Sequence, residues 1–225
     1  MLFDIDGTLQ RDFGTARDAF GAALREVFDF APDLDGYDFS GLTDPAIVTK
    51  ILGDGGFDEE QTNPRLEKLW DTYVGHLERL IRPERVVVMP GITQLLDALD
   101  SDESVSLGLL TGNIELGARI KLSAHDLNRY FAFGAFGSDS SRREELPPFA
   151  RDRAISNGRE APSFADTIII GDSIHDVRCG KPHGAVSIAV ATGVTSRERL
   201  LDEDPDHFFE TLEDTDAVLE SIFAA

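Results

Sequence analysis

Residues 1–9 read Met1-Leu2-Phe3-Asp4-Ile5-Asp6-Gly7-Thr8-Leu9, a short apolar run that ends in two carboxylates and a glycine. A run with so little polar alternation suits a strand covered on both faces, as in a parallel sheet. Such sheets bind ligands beyond the carboxyl ends of their strands, where Asp4 and Asp6 would stand. Gly7 permits a sharp turn that returns Asp6 over the same site. Asp-Gly also makes ordinary turns, so the meaning of this stretch depends on what the rest of the chain sets beside it.

Three more apolar runs, residues 105–110, 167–170 and Val186–Val190, read as strands. Helical stripes lie between them: Ala16, Phe20, Ala23, Leu24 and Val27 form one, and Ile92, Leu95, Leu96 and Leu99 another. Strands alternating with helices predict an α/β fold, a Rossmann-like open parallel sheet with right-handed crossovers. Residues 11–86 break the rhythm, with helical signals, Gly36, Gly53, Gly55, Gly56 and Pro64, and no buried strand. A segment of that length is too long for a structureless loop. It predicts an all-helical domain inserted into a core domain made of residues 1–10 and 87–225.

The bulk numbers narrow the function classes. A chain of 225 residues, 41% hydrophobic, can bury a substantial core. It has no apolar stretch long enough to span a membrane, and acids within the first six residues argue against a signal peptide. A single cysteine, Cys179, excludes an internal disulfide and fits a reducing, cytoplasmic setting; a small packed thiol is its expected state. The net charge of -21 disfavours nucleic acid and anionic lipid as partners. With only four lysines among the bases, such a surface fits a salt-adapted protein or an ordinary acidic one. Oligomeric state is not legible.

Two further groups of polar residues follow apolar runs. After residues 167–170 comes Gly171-Asp172-Ser173-Ile174-His175-Asp176, where a helix beginning at Asp172 would set Asp172 and Asp176 on one face. Two unit charges 4 Å apart interact by about 4 kcal/mol at an effective dielectric of 20. Asp4, Asp6, Asp172 and Asp176 at neighbouring strand ends therefore call for a cation, and an all-oxygen ligand set points to Mg2+. After residues 107–110 comes Thr111-Gly112-Asn113. A hydroxyl followed by flexible backbone N–H groups suits the binding of phosphate oxygens near a helix N-terminus.

Taken in order, these groups resemble the motifs of the haloacid dehalogenase-like superfamily. Asp4, Asp6, Gly7 and Thr8 match its DxDGT motif, Thr111 the residue that ends its second, and Asp172 with Asp176 the acidic pair of its fourth. The resemblance runs from residue 1 to about 193 and is to phosphoglycolate phosphatase-like members with a helical cap. It implies that Asp4 attacks phosphorus, that Asp6 serves as general acid and base, and that Thr111 and the Gly112 N–H hold phosphoryl oxygens. It also implies that Asp4, Asp172 and the Asp6 carbonyl hold Mg2+, while Asp176 orients a metal-bound water or a nearby cation. The substrate implied is a small phosphomonoester.

The third motif departs from the family pattern. Relatives commonly place a lysine ahead of the fourth motif, yet residues 137–152 contain none; Lys121 stands too early and Lys181 too late. Arg143 opens a helical pattern (Leu146, Phe149, Ala150, Ala154) and resembles the arginine some relatives carry there, with Arg142 and Lys121 as the alternatives. An arginine is a fork and not a point charge, so the exchange changes geometry. Asp6 favours transfer to or from an alcohol oxygen over dehalogenation or phosphonate cleavage. A phosphomutase of the β-phosphoglucomutase kind and a catalytically silent interaction protein of the same fold are the alternatives. Thr43-Asp44-Pro45 is expected to start a helix rather than touch substrate. Phe13, Arg17 and Arg79 are expected to be solvated or packed, Trp70 and Tyr73 packed, and His175 and His183 away from any metal.

Overall fold

Each apolar run supplies one short strand, and the stretches between supply the helices that cover it. The computed structural model describes residues 1–158 and 163–223; positions 159–162 and 224–225, inside the segment read as 87–225, lie outside the described residues. The strands are β1 (Leu2–Phe3), β2 (Gln10–Arg11), β3 (Val87–Val88), β4 (Gly108–Leu110), β5 (Phe133–Ala135), β6 (Ile168–Gly171), β7 (Val186–Val190) and β8 (His207–Phe209). The helices are α1 (Thr15–Phe28), α2 (Asp44–Asp54), α3 (Glu59–Thr62), α4 (Leu66–Leu80), α5 (Ile92–Asp100), α6 (Glu115–Ser123), α7 (Leu146–Ser156), α8 (Ile174–Gly180), α9 (Arg197–Leu201) and α10 (Thr215–Phe223).

Six strands form one parallel sheet in the order β5-β4-β1-β6-β7-β8. Alternate residues feed opposite faces. Phe3, Leu109, Ile168 and Ile170 pack with Ile92, Leu95, Leu96 and Leu99 of α5 and with Val218 and Ile222 of α10. Leu2, Leu110 and Ile169 pack with Leu146, Ala150 and Ala154 of α7 and with Cys179. Both faces are covered, which is why the strands read as unbroken apolar runs. The fold is thus a Rossmann-like parallel core carrying an inserted helical cap. Among the described residues no helix is long and apolar enough to cross a membrane.

Helices α1 to α4 fall between β2 and β3, and they bury a core of their own around Phe20, Leu24, Ile51, Leu69, Tyr73 and Leu77. Phe20 and Tyr73 meet edge to face with ring centroids 5.5 Å apart. Truncating Leu69 or Ile51, both fully buried, would cost about 2–5 kcal/mol. The chain leaves the core at β2 and returns at β3, and these two pair antiparallel, Gln10 with Val88 and Arg11 with Val87.

The structure corrects the sequence reading in several places. Strands β2, β3, β5 and β8 were not expected: the first two are only two residues long, and β8 is a half-buried edge strand. Asp172 and Asp176 do not share a helix face. The helix begins at Ile174 with Ser173 as its cap, so Asp172 lies just past the end of β6 while Asp176 sits in the first turn of α8. Thr43 does cap α2, with Pro45 in its first turn.

Candidate active site

Strand order decides which side chains meet. Because β1 lies between β4 and β6, the residues that follow these strands (Asp4, Thr111 and Asp172) stand at three adjacent carboxyl ends. Gly7 has φ +91°, and a Cβ there would overlap the Asp172 carboxylate. Both the turn and the close approach require glycine. A Cβ on Gly193 would also overlap the Asp172 side chain. Thr8 Oγ1 donates to Asp172 Oδ1 at 2.9 Å, which fixes that carboxylate by one oxygen.

Asp4, Asp172 and Asp176 are all buried, and each offers an oxygen within 4.8 Å of the others. Burial pushes the Asp4 carboxyl up to about 6; Arg143 opposes the rise, while Asp176 and Asp6 add to it. Asp172 is raised well above the usual carboxylate range by burial and then by Asp4 and Asp176. A cation placed among them would reverse these penalties. The hard oxygen donors and their spacing fit a small divalent metal ion.

Arg143 is the resident cation of this cluster, delivered by the turn of 3-10 helix just before α7. Its Nη2 donates to Asp4 Oδ1 at 2.8 Å and to the Leu110 carbonyl at 3.2 Å, and it also bonds Asp176 Oδ1. Its Nη1 reaches the Gly41 carbonyl at 3.2 Å, so a core arginine holds a segment of the helical insertion. Desolvation works against its charge, but Asp176 and Asp4 more than compensate and raise its pKa. Asp176 is fully engaged: Oδ1 takes Arg143, and Oδ2 takes the N–H and hydroxyl of Ser173. Arg142 is exposed and pairs with Glu144 and Glu145.

Asp6 lies on the other side. Its Oδ2 accepts from Asn113 Nδ2 and from Lys121 Nζ, both at 2.7 Å. Asn113 Nδ2 also donates to Thr111 Oγ1 at 2.8 Å. Lys121, an alternative to Arg143 for the third-motif cation, pairs with Asp6 instead, and motif spacing does not indicate that pairing. The available signal was its place on the buried stripe Gly117-Ala118-Lys121-Leu122 of α6, where a lysine needs a partner.

The segment 41–46 forms a wall of the site as well as starting α2. The Asp44 N–H donates to the Gly112 carbonyl at 2.7 Å, and its carboxylate accepts the Ile114 N–H at 2.8 Å. Thr43 Oγ1 donates to the Ser141 carbonyl at 2.7 Å. Burial pushes the Asp44 carboxyl up to about 6, against the pull of Lys121 and the Ile114 N–H.

A cavity of about 360 Å³ opens above these groups, with Phe13, Arg17 and Tyr73 of the helical segment lining it opposite Asp4, Asp6 and Arg143. A larger hollow, about 810 Å³, lies around Met1, Ser104 and Thr167 and contains none of the clustered carboxylates. Arg17 is tied to the carbonyls of Leu34 and Tyr37 and lies over the Phe39 ring. Arg79 bonds His76 and does not line the cavity. Trp70 and Tyr73 belong to the aromatic packing. His175 is half-buried beside Gly41, and His183 stacks on Phe164. The Cys179 thiol is buried, donates to the Asp176 carbonyl, and is pushed up to about 12 by burial.

A parallel α/β core with carboxylates at adjacent strand ends and a helical insertion after the first strand defines a class of hydrolase, and sequence comparison agrees with it. A family model described as HAD-hydrolase-like matches residues 146–215. A phosphoglycolate phosphatase from Agrobacterium fabrum is 26% identical, over 86% of this chain and 81% of its own. Among solved structures, a hydrolase from Pseudomonas syringae superposes with a TM-score of 0.72 at 23% identity, covering 98% of this chain and 97% of that one. A β-phosphoglucomutase from Clostridium difficile superposes with a TM-score of 0.70 at 18% identity, covering 99% and 96%. At these identities the structural likeness speaks for the fold. The chain is thus similar to haloacid dehalogenase-like hydrolases, phosphoglycolate phosphatases among them.

Proposed function

We propose that this protein is a Mg2+-dependent phosphatase that hydrolyses a small phosphomonoester through an aspartyl-phosphate on Asp4. What supports the reading is the meeting of Asp4, Asp172, Asp176 and Arg143 beneath one cavity. Arg143 occupies Oδ1 of Asp4, which leaves Oδ2 as the attacking atom. As Oδ2 bonds to phosphorus, the ester P–O bond breaks and Asp6 gives its proton to the departing alkoxide. Asp6 then takes a proton from water as the water oxygen attacks phosphorus, and the Asp4–phosphorus bond breaks to release phosphate. Covalent catalysis divides one hard displacement into two, and the proton transfers contribute about 10²–10⁴-fold.

Thr111 and the Gly112 N–H are assigned to the phosphoryl oxygens, with Asn113 holding the Thr111 hydroxyl. Asp176 acts by holding Arg143. A magnesium ion held by Asp4, Asp172 and the Asp6 carbonyl would neutralise charge between nucleophile and phosphoryl group. The relative from Agrobacterium fabrum carries the name phosphoglycolate phosphatase, which makes small phosphorylated metabolites the first substrates to try. The acidic surface disfavours nucleic acid and membranes as partners, and the lone thiol fits a cytoplasmic setting.

The test is phosphate release from p-nitrophenyl phosphate with and without MgCl2, in wild type and Asp4→Asn. Turnover that needs the metal and disappears in Asp4→Asn is the expected result. Turnover that survives either change would overturn the mechanism. A requirement for a bisphosphate activator, with little net phosphate released, would mark a mutase instead.

A further inference from the structure

Lys121 and Asn113 bond the same oxygen of Asp6. Both donors sit 2.7 Å from Oδ2, and Oδ1 has no assigned partner among the described residues. The Lys121–Asp6 pair is uneven in exposure: the Lys121 side chain is 5% exposed and that of Asp6 is 42%. The carboxylate therefore faces the cavity with the ammonium behind it. A buried ammonium is tolerated when paired and hydrogen-bonded, and α6 places Lys121 on its buried face beside Gly117, Ala118 and Leu122.

We infer that Lys121 is a positioning residue for Asp6: together with Asn113 it pins Oδ2 and leaves Oδ1 as the oxygen that carries the proton. This rests on the phosphatase reading above and deepens it. In the first half of the reaction the proton on Oδ1 passes to the departing alkoxide as the ester bond breaks. In the second, Oδ1 takes a proton from water as the new P–O bond forms, which restores the acid. Lys121 keeps its own protons throughout. Its contribution is orientation, because a proton donor displaced by about 1 Å can lose 10²-fold in rate.

A leaving group that departs without a proton separates this role from a merely structural one. The experiment compares kcat/KM at saturating MgCl2 for glycerol 2-phosphate, a poor leaving group, and p-nitrophenyl phosphate, a good one. Lys121→Met should lower kcat/KM about 10- to 100-fold for glycerol 2-phosphate and less than about three-fold for p-nitrophenyl phosphate. In an Asp6→Asn background, Lys121→Met should cost nothing further, since residues acting as a unit are not additive. Equal losses on the two esters, or full additivity with Asp6→Asn, would overturn the inference and leave the phosphatase reading standing. Should Lys121→Met fail to fold, Lys121→Gln, which keeps a neutral donor, is read by the same ratio. A wild type inactive on every ester, with or without magnesium, takes both readings down.

Discussion

Arg143 Nη2 lies 2.8 Å from Asp4 Oδ1, and both side chains are at least nine-tenths buried. The same guanidinium also bonds Asp176, the Leu110 carbonyl and the Gly41 carbonyl. One planar fork thus ties strand end, helix start and helical insertion together. A lysine delivers one nitrogen where arginine delivers two at fixed separation. Arg143 therefore does more than supply positive charge beside Asp4.

Arg143→Lys should accordingly keep the charge and lose the bridge. Its ammonium can remain near Asp4 or reach toward Gly41, but cannot hold both. Steady-state kinetics on p-nitrophenyl phosphate should show kcat/KM down by about 10²-fold, the cost of a small misplacement at a reacting centre. Arg143→Ala should be worse for folding. It leaves Asp4 and Asp176 buried without a counter-charge, Asp176 keeping only its bonds from Ser173, a change worth about 3–5 kcal/mol for a buried pair. Urea denaturation in EDTA measures it, and a loss under 1 kcal/mol would refute it.

The carboxylate cluster also fixes how metal-free stability depends on pH. Asp4 rises from 3.8 to about 6 on folding, and Asp172 moves in the same direction. A group whose folded pKa is raised contributes stability that is fully present below the unfolded value and is lost as pH climbs through the folded value. In EDTA the melting temperature should therefore fall between pH 4 and pH 7. Magnesium should reduce that fall, since a ligand that binds the folded state stabilises it by mass action. Asp4→Asn should also flatten it. A metal-free melting temperature that rises steadily across this interval, in wild type and Asp4→Asn alike, would show that the cluster does not control it.

How much of this was legible in the sequence follows from the separation of the partners. Asp4, Thr111 and Asp172 each follow an apolar run, a local signal, and the parallel sheet sets those runs side by side. The helix start at Thr43-Asp44-Pro45 was equally local. Lys121 and Asp6 are 115 positions apart, and Arg143 and Gly41 are 102 apart; no periodicity encodes such a pairing. The spacing of Asp172 and Asp176 misled for a different reason. A four-residue interval implies a shared face only inside a helix, and with Ser173 as its cap the helix starts at Ile174, two residues after Asp172. Strands β2 and β3 escaped because each is only two residues long and, unlike β1, partly exposed.

Phe13 offers a test of strain at the cavity mouth. It has φ +51° and is 69% exposed, and Gly14 follows it at φ +91°. The Asp12 carboxylate accepts the N–H groups of Gly14 and Ala16, which holds the start of α1 and forces this path. A left-handed conformation costs a residue with a Cβ about 1–2 kcal/mol, whereas glycine adopts it freely but gives up about 0.5–1 kcal/mol of chain entropy on folding. An exposed ring has little packing to lose. Phe13→Gly should therefore stabilise the protein by about 0.5–1 kcal/mol, raising its melting temperature by about 2 °C for a chain of this size. Phe13→Ala, which keeps the Cβ, should show no such gain. A glycine variant that melts below wild type would mean that the Phe13 ring packs against the mouth strongly enough to outweigh the relief of its backbone.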